Sequence, residues 1–214
     1  MNFLQMCQQA RQKSQIPGTG PTTVADQVGK QADVVQAVKD AWREIQMMHE
    51  KSWEFLKKAS VGNTVVGRTE YTMADLSLER PADIQHVLVD GEPVRFEHWE
   101  DLVRRTSHLD DKGAPGYWTV TPDNKVKLFP EPDDTYELLF VYIQRPSELE
   151  NNTDVPEIDE RFHWAIVWKA VMDITIDESD ATLYQKAFEK FDNAFSHLEN
   201  HYLSAIKLGG TTFS

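Results

Sequence analysis

The chain has 214 residues, with 22 basic and 35 acidic side chains, seven histidines, one cysteine and a formal net charge of −13. That length suits one domain with an elaborate insert or two small ones, with a core that buries roughly 70% of the unfolded surface. A single cysteine excludes an internal disulfide framework and a four-cysteine zinc site, and the acid excess argues against generic duplex binding, which needs cations to displace counterions. The charge is uneven: residues 1–60 carry a net of +2, residues 61–150 a net of −9 and residues 151–214 a net of −6. The polar start, Met1 to Gln9, does not read as a signal peptide, and the longest apolar run, Trp164 to Trp168, is far too short to span a bilayer. A soluble product made in the cytoplasm is expected.

In chain order, Phe3, Leu4, Cys7 and Ala10 predict a short helix over residues 2–14, which Pro17-Gly18-Thr19-Gly20-Pro21 stops. The glycines there do not make a phosphate cradle, because no strand precedes them and no Gly-Lys-Ser/Thr follows. A long helix is expected from Asp26 or Lys30 to Leu56. Its apolar stripe is Val34, Val38, Ala41, Ile45, Met48, Ser52 and Phe55, widened by Trp42 and Trp53. From Gly62 to Arg145 the period shortens to that of strands. Asp90-Gly91 between Ile84–Val89 and Pro93–Phe96 predicts a tight hairpin, since glycine accepts a positive φ. Glu97 to Arg105 reads as a short helix. Tyr117–Val120 and Val126–Phe129 read as a second hairpin, and Tyr136 to Ile143 as a longer strand. About six strands result, consistent with a small antiparallel sandwich or barrel.

After Pro146 the pattern returns to helix. Asp159 is a candidate N-cap. From Phe162 to Ile174 the residues are apolar nearly all round, so this helix must be buried on most sides. Asp177 to Asp180 breaks it. In the last helix Tyr184, Phe188, Phe191, Phe195, Leu198, Tyr202 and Ala205 step alternately by four and three along one seam. That seam is expected to pack on the other long helices, which are already available as partners. Gly209-Gly210 ends the helix and leaves Thr211 to Ser214 as a tail.

The expected fold class is therefore α+β: an antiparallel helical bundle from both chain ends, with a small antiparallel β-sandwich or barrel inserted. The expected segments are helices over 1–60, the β domain over 61–146, helices over 147–206 and an extended tail over 207–214. The bundle core is expected to hold Trp42, Ile45, Ile166, Phe188, Phe191, Phe195 and Leu198.

The chemistry-bearing motifs are sparse. There is no P-loop, no Gly-x-Ser-x-Gly elbow and no His-Glu-x-x-His; His49-Glu50 lacks the second histidine. His197 and His201 lie four apart on one helix face, but nothing supplies a third ligand, so they read as polar-face residues. Glu97, Glu100 and Asp101 beside Trp99 imitate a glycosidase acid in an apolar wall, although nothing fixes a separation between two carboxylates. Cys7 reads as a small apolar residue on a helix rather than a reactive thiol. No catalytic, cofactor-binding or metal-binding residue is assigned, no cofactor is expected, and the protein is expected not to be an enzyme.

The order and spacing of short motifs point to one family. They run from Phe3-Leu4-Gln5-Met6-Cys7-Gln8 and Gly18-Thr19-Gly20-Pro21-Thr22-Thr23-Val24 through Ala41-Trp42-Arg43-Glu44-Ile45-Gln46 and Trp53-Glu54-Phe55. Tyr71-Thr72-Met73-Ala74-Asp75, Pro115-Gly116-Tyr117-Trp118 and Leu128-Phe129-Pro130-Glu131-Pro132 follow. Tyr136-Glu137-Leu138, Val141 to Pro146, Asp154-Val155-Pro156 and Phe162 to Val167 complete the set. This series resembles the head-to-tail adaptor subunits of tailed bacteriophages, the connector or tail tubular protein A type, over nearly the whole chain. The resemblance implies a virion structural protein at the head-tail junction. Its partners would be itself, in a ring commonly of twelve copies; the portal protein; the tail or next head-completion protein; and genomic DNA that passes without specific binding. It also implies a C-terminal segment reaching the portal, which here maps to Leu208, Thr211, Thr212 and Phe213, with Phe213 as the anchor. That tail is short, so an extended contact such as strand addition fits it better than a long inserted helix. The alternative is a virion-associated cell-wall glycan-degrading enzyme, and a nucleic-acid-binding regulator is a third class that the acid excess disfavours.

Overall fold

The computed structural model describes residues 1–50, 53–107, 109–177 and 180–203. Among them are five α-helices and eight strands in two sheets, a mixed α+β architecture. The chain divides into two compact units: one of residues 1–55 with 146–214, the other of residues 56–145.

The first unit is helical. Helix α1 spans Phe3–Lys13, and Asn2 and Gln5 close its N-terminus as a reciprocal capping box. Helix α2 spans Lys30–Met48 and follows Gly29, whose φ of +56° suits the residue without a Cβ. Helix α4 spans His163–Asp177, and α5 spans Ala181–Tyr202 behind the N-cap Asp180, which accepts from the Leu183 N–H. Helix α4 packs against α1, α2 and α5. Ala165, Ile166, Val167, Ala170 and Val171 are all fully buried. Its valines, isoleucines and tryptophans are mediocre helix formers, each costing up to about 0.7 kcal/mol against alanine. Burial of one such side chain returns about 1.5–3 kcal/mol, so packing holds this helix rather than local preference.

Two expectations about the helices need correction. Helix α2 ends at Met48, not near Leu56. The chain turns back after it, and the buried Trp53 indole donates to the Ile45 carbonyl at 3.0 Å, filling an acceptor of the last turn. Phe55 still reaches Trp42, with ring centroids 6.0 Å apart, but by way of a 3₁₀ turn at Glu54–Leu56. The long-helix spacing was thus a packing signal carried by a different backbone path; Ser52, on the same stripe, lies outside the described residues. In α5 the buried line is Leu183, Ala187, Phe191 and Leu198. Phe188, expected in the bundle core, is 43% exposed, because it lies about 100° around the helix from the centre of that line. Phe195 is half-buried, while Trp42, Ile45, Ile166, Phe191 and Leu198 are buried.

The second unit holds two four-stranded sheets. One has the order β1 (Lys57–Asn63), β8 (Glu137–Gln144), β3 (Pro81–Val89), β4 (Glu92–Pro93), all antiparallel. The other runs β2 (Glu70–Tyr71), β7 (Val126–Phe129), β6 (Tyr117–Val120), β5 (Arg95–Phe96). The β3–β4 hairpin turns at Asp90-Gly91, with φ of +49° and +83°, the pair of positive angles a two-residue turn demands. The purely antiparallel expectation fails at one place: β5 pairs with β6 in parallel, Arg95 with Tyr117 and Phe96 with Trp118. Parallel neighbours need a crossover, and α3 (Trp99–Thr106) lies within it. Strand β1 begins inside the expected helical segment and is not legible there, because Lys57–Asn63 shows no clean alternation: it is an edge strand in which only Ser60 is buried. Both sheets feed one core: Phe140 and Leu138 of β8 and Val87 of β3 meet Tyr71, Trp118 and Leu128. No helix among the described residues is long and apolar enough to cross a membrane.

The burial difference along α4 and α5 sets an expected result. Ile166→Ala should cost about 2–5 kcal/mol by urea unfolding, as buried large-to-small changes do, while Phe188→Ala should cost under about 1 kcal/mol. Equal losses would contradict the assignment of Phe188 to the surface. In the β6–β7 turn, Thr121 and Lys125 hydrogen-bond the Asp123 carboxylate at 2.6 Å each and, Lys125 first, hold its pKa down at about 2. This stabilising contribution is full above the ordinary aspartate value of 3.8 and disappears as pH falls through about 2. The stability gap between wild type and Asp123→Ala should therefore close across that acid window in a urea-titration series.

Candidate functional site

Two polar surfaces stand out in the helical unit, one where α2 meets α4 and one on α5. On α4, Lys169 stands within the apolar run, its side chain only 12% exposed. Its ammonium contacts Glu44 of α2 at 2.7 Å and Asp173, one turn on, at 2.8 and 3.0 Å. Burial pulls the lysine pKa down, but the hydrogen bonds the ammonium donates to Asp173 and then Glu44 outweigh burial and leave it above the usual value. Asp173 moves the unfavourable way for a carboxylate beside an ammonium. Burial raises it most, the bonds from Lys169 oppose, and repulsion from Glu44 and Asp40 adds to the rise. The two shifts agree in meaning: one cation serves more than one carboxylate. A groove of about 540 Å³ opens there, lined by Asp33, Asp40 and Glu44 of α2 with Asp173 and Ile174 of α4.

On α5 the surroundings are of opposite character. Asn193, His197, Asn200 and His201 line a groove of about 550 Å³ with Arg161 and Phe162. Arg161 is 3.3 Å from Asp159 and 3.4 Å from the His201 ring nitrogen, and Phe162 packs on the His201 ring at 5.2 Å. His197 and His201 thus belong to a donor-rich surface. No group of three or more histidine, cysteine or acidic side chains among the described residues is placed to hold a metal ion.

The glycosidase-like trio does not assemble into a catalytic pair. Two hydrogen bonds tie Glu97 to Arg105, whose guanidinium also lies 4.0 Å from the Tyr117 ring centre. Asp101 pairs with Arg104 at 3.5 Å, and Glu100 is exposed. Glu97–Arg105 ties the two ends of α3 together, and Asp101–Arg104 is an i,i+3 pair along it. Cys7 is buried, and burial pushes its thiol up to about 12, far from a reactive thiolate. The tail residues Leu208, Thr211, Thr212 and Phe213 lie outside the described residues. In the sequence, Lys169 and Asp173 are marked only by their spacing, a lysine and an aspartate four apart inside an otherwise apolar helix, and nothing local points to Glu44.

Compared with known families, the chain matches the family model described as SU10 adaptor protein over residues 1–206. No curated protein matches it.

The Lys169 arrangement generates its own test. Lys169→Met leaves Glu44 and Asp173 facing each other without the ammonium and should cost about 1–3 kcal/mol in urea unfolding. Because the folded lysine pKa lies above its ordinary value of 10.5, the wild-type advantage is full below that pH and fades as pH climbs through the folded value. An advantage that stays level into strong alkali would remove the ammonium from the explanation.

Proposed function

The chain belongs to the SU10 adaptor protein family, a phage head-to-tail adaptor family, and we propose that its copies close into a ring beneath the portal that joins head to tail and lets DNA pass. The observation that carries this is the family match across 206 residues. Membership makes the protein a structural component of the virion, associated with other virion proteins such as portal and tail. The finer reading is a helical bundle built from both chain ends with a two-sheet sandwich inserted in it, repeated about a ring commonly of twelve copies. Identical flanks meeting head to tail close into such a ring when their rotation closes.

An acid excess fits a channel that DNA must cross without sticking. Residues 61–214 carry a net of −15. Carboxylates on an inner wall repel phosphate over a reach of about 8 Å at physiological salt, enough to keep the duplex off the wall without slowing it at a distance. The segment 207–214 is proposed as the portal contact, with Phe213 as its apolar anchor. No cofactor enters this function, since the work is geometric. The tied-up carboxylates Glu97 and Asp101 lend no support to the glycan-cleaving alternative.

Electron micrographs of purified particles test the reading directly: a ring of this chain should sit between portal and tail. Its absence from purified particles would sink the reading. Charge reversal at wall carboxylates should slow DNA ejection from intact particles; unchanged ejection would remove the repulsive wall. Assembly on a portal template further predicts that the isolated chain is monomeric or mixed in dilute solution, as read by sedimentation. A stable ring formed without the portal would count against templated assembly.

A further inference from the structure

Helix α5 carries a second periodic line beside its buried one. Lys186, Lys190, Asn193 and His197 step by four, three and four, so they share one strip of surface, and all four are exposed. No carboxylate lies on that strip, and neither lysine makes an ion pair among the described residues. In a chain of net charge −13 such a strip is an unmet demand for anions. Helix α2 shows an acidic line at the same steps, Asp33, Ala37, Asp40 and Glu44, with Lys30 one turn before it; Arg43 lies 3.7 Å from Asp40 and Lys169 holds Glu44, so Asp33 is its most open carboxylate. Each line covers eleven residue steps, about 16 Å at 1.5 Å per residue.

The directions of the two helices decide whether the lines can meet in a ring. Both run opposite to α4. Glu44 meets Lys169 while Asp33, nearer the start of α2, lines the groove with Ile174, nearer the end of α4. Phe162, just before α4, packs on Tyr202 at the end of α5, 5.7 Å away. Within one copy α2 and α5 therefore point the same way. Neighbours in a twelve-membered ring differ by a rotation of about 30°, so α5 of one copy and α2 of the next remain nearly parallel. In parallel register Lys186 comes opposite Asp33, Asn193 opposite Asp40 and His197 opposite Glu44. Lys190 then faces the small Ala37, between two carboxylates.

We infer, resting on the ring reading above, that adjacent copies mate through these strips, the cationic line of α5 on one copy lying parallel to the acidic line of α2 on the next. The surfaces sit on different helices, so the contact is heterologous and propagates from copy to copy, as ring closure requires. Complementary charge sets register and speeds encounter more than it adds affinity, which suits a ring that assembles on a template. DNA phosphate is the competing occupant of the α5 strip. The acidic line is favoured because in parallel register Asp33 and Asp40 place a carboxylate within one turn of each lysine, and a neighbouring copy brings that line to the strip at every position of the ring.

Charge exchange tests this in assembled particles. Lys186→Glu with Lys190→Glu, and separately Asp33→Lys with Asp40→Lys, should each lower the yield of ring-bearing particles at least about tenfold, since like charges then meet. Supplying both altered chains together should restore it, because each presents the other's complement. Wild-type yield from either altered chain alone overturns the inference, as does failure of the mixture where both chains keep wild-type urea midpoints. A Lys186→Cys, Asp33→Cys chain treated with a short bis-maleimide gives a second readout, with Cys7 buried away from the reagent. A ladder of multimers supports the register; rings that yield only single chains overturn it. Normal rings from the Lys186→Glu, Lys190→Glu chain with altered DNA ejection would assign the strip to phosphate and overturn the inference. If wild-type particles themselves show no ring, the reading in the preceding section falls, a result distinct from any of these.

Discussion

The constraint on which the helical unit depends is that the middle of α4, Ala165 to Val171, has almost no face that water could solvate, although Trp164 and Ile176 near its ends are exposed. Between Ala165 and Val171 only Trp168 and Lys169 are not fully buried. A helix of this kind is covered on several sides at once or it does not persist, since every uncovered apolar side chain forfeits about 1.5–3 kcal/mol. The cover comes from α1 and α2, more than a hundred residues earlier, and from α5, which follows directly. Collecting those parts brings Phe55 and Pro146 into one unit and leaves residues 56–145 to fold around a core of their own.

Lys169 shows what such a helix demands of a charge. A lysine among valines and isoleucines keeps its ammonium only where oxygen replaces the water it loses. Asp173, one turn along, and Glu44, from α2, supply that oxygen. The pair of carboxylates then repel, and burial acts on Asp173 as well, so its proton affinity rises although a cation lies within hydrogen-bond reach. This cluster also ties α4 to α2 in register, because apolar side chains tolerate sliding by a turn more readily than a bonded ammonium does.

Much of this was legible from the residues, and the failures have identifiable causes. The Asp90-Gly91 hairpin and the β6–β7 pair follow from turn chemistry, and α1 from apolar spacing and the Pro17-Gly18 stop, all of which act over a few residues. The end of α2 was not legible, because Phe55 packs where a continued helix would have put an apolar side chain, and only the Trp53 indole on the Ile45 carbonyl reveals the change of path. Strand β1 and the parallel β5–β6 pair depend on partners distant in sequence, which no local pattern encodes. Phe188 was misjudged because aromatic residues on α5 occupy a band wider than its buried line, and spacing alone does not locate the centre of that band. At the candidate site, the lysine and aspartate four apart on α4 were visible, but Glu44 joins them only through the fold.

In the proposed ring, the two lines on α5 separate folding from assembly by angle around a single helix. Leu183, Ala187, Phe191 and Leu198 face α4 and fix the helix in its unit. Lys186, Lys190 and His197 lie on a flank that this packing leaves in water. Exposed lysines and histidines add little to the stability of one copy, for surface pairs are worth roughly 0–1 kcal/mol even when formed. Substitutions on that flank therefore leave the lone chain intact while changing what it can dock against, whereas substitutions on the buried line act on the fold first. Under the templated assembly proposed above, this division is an advantage: the lysines and carboxylates that would join copies are charged, so they keep separate chains in solution. They act together only when many copies are held side by side in one orientation.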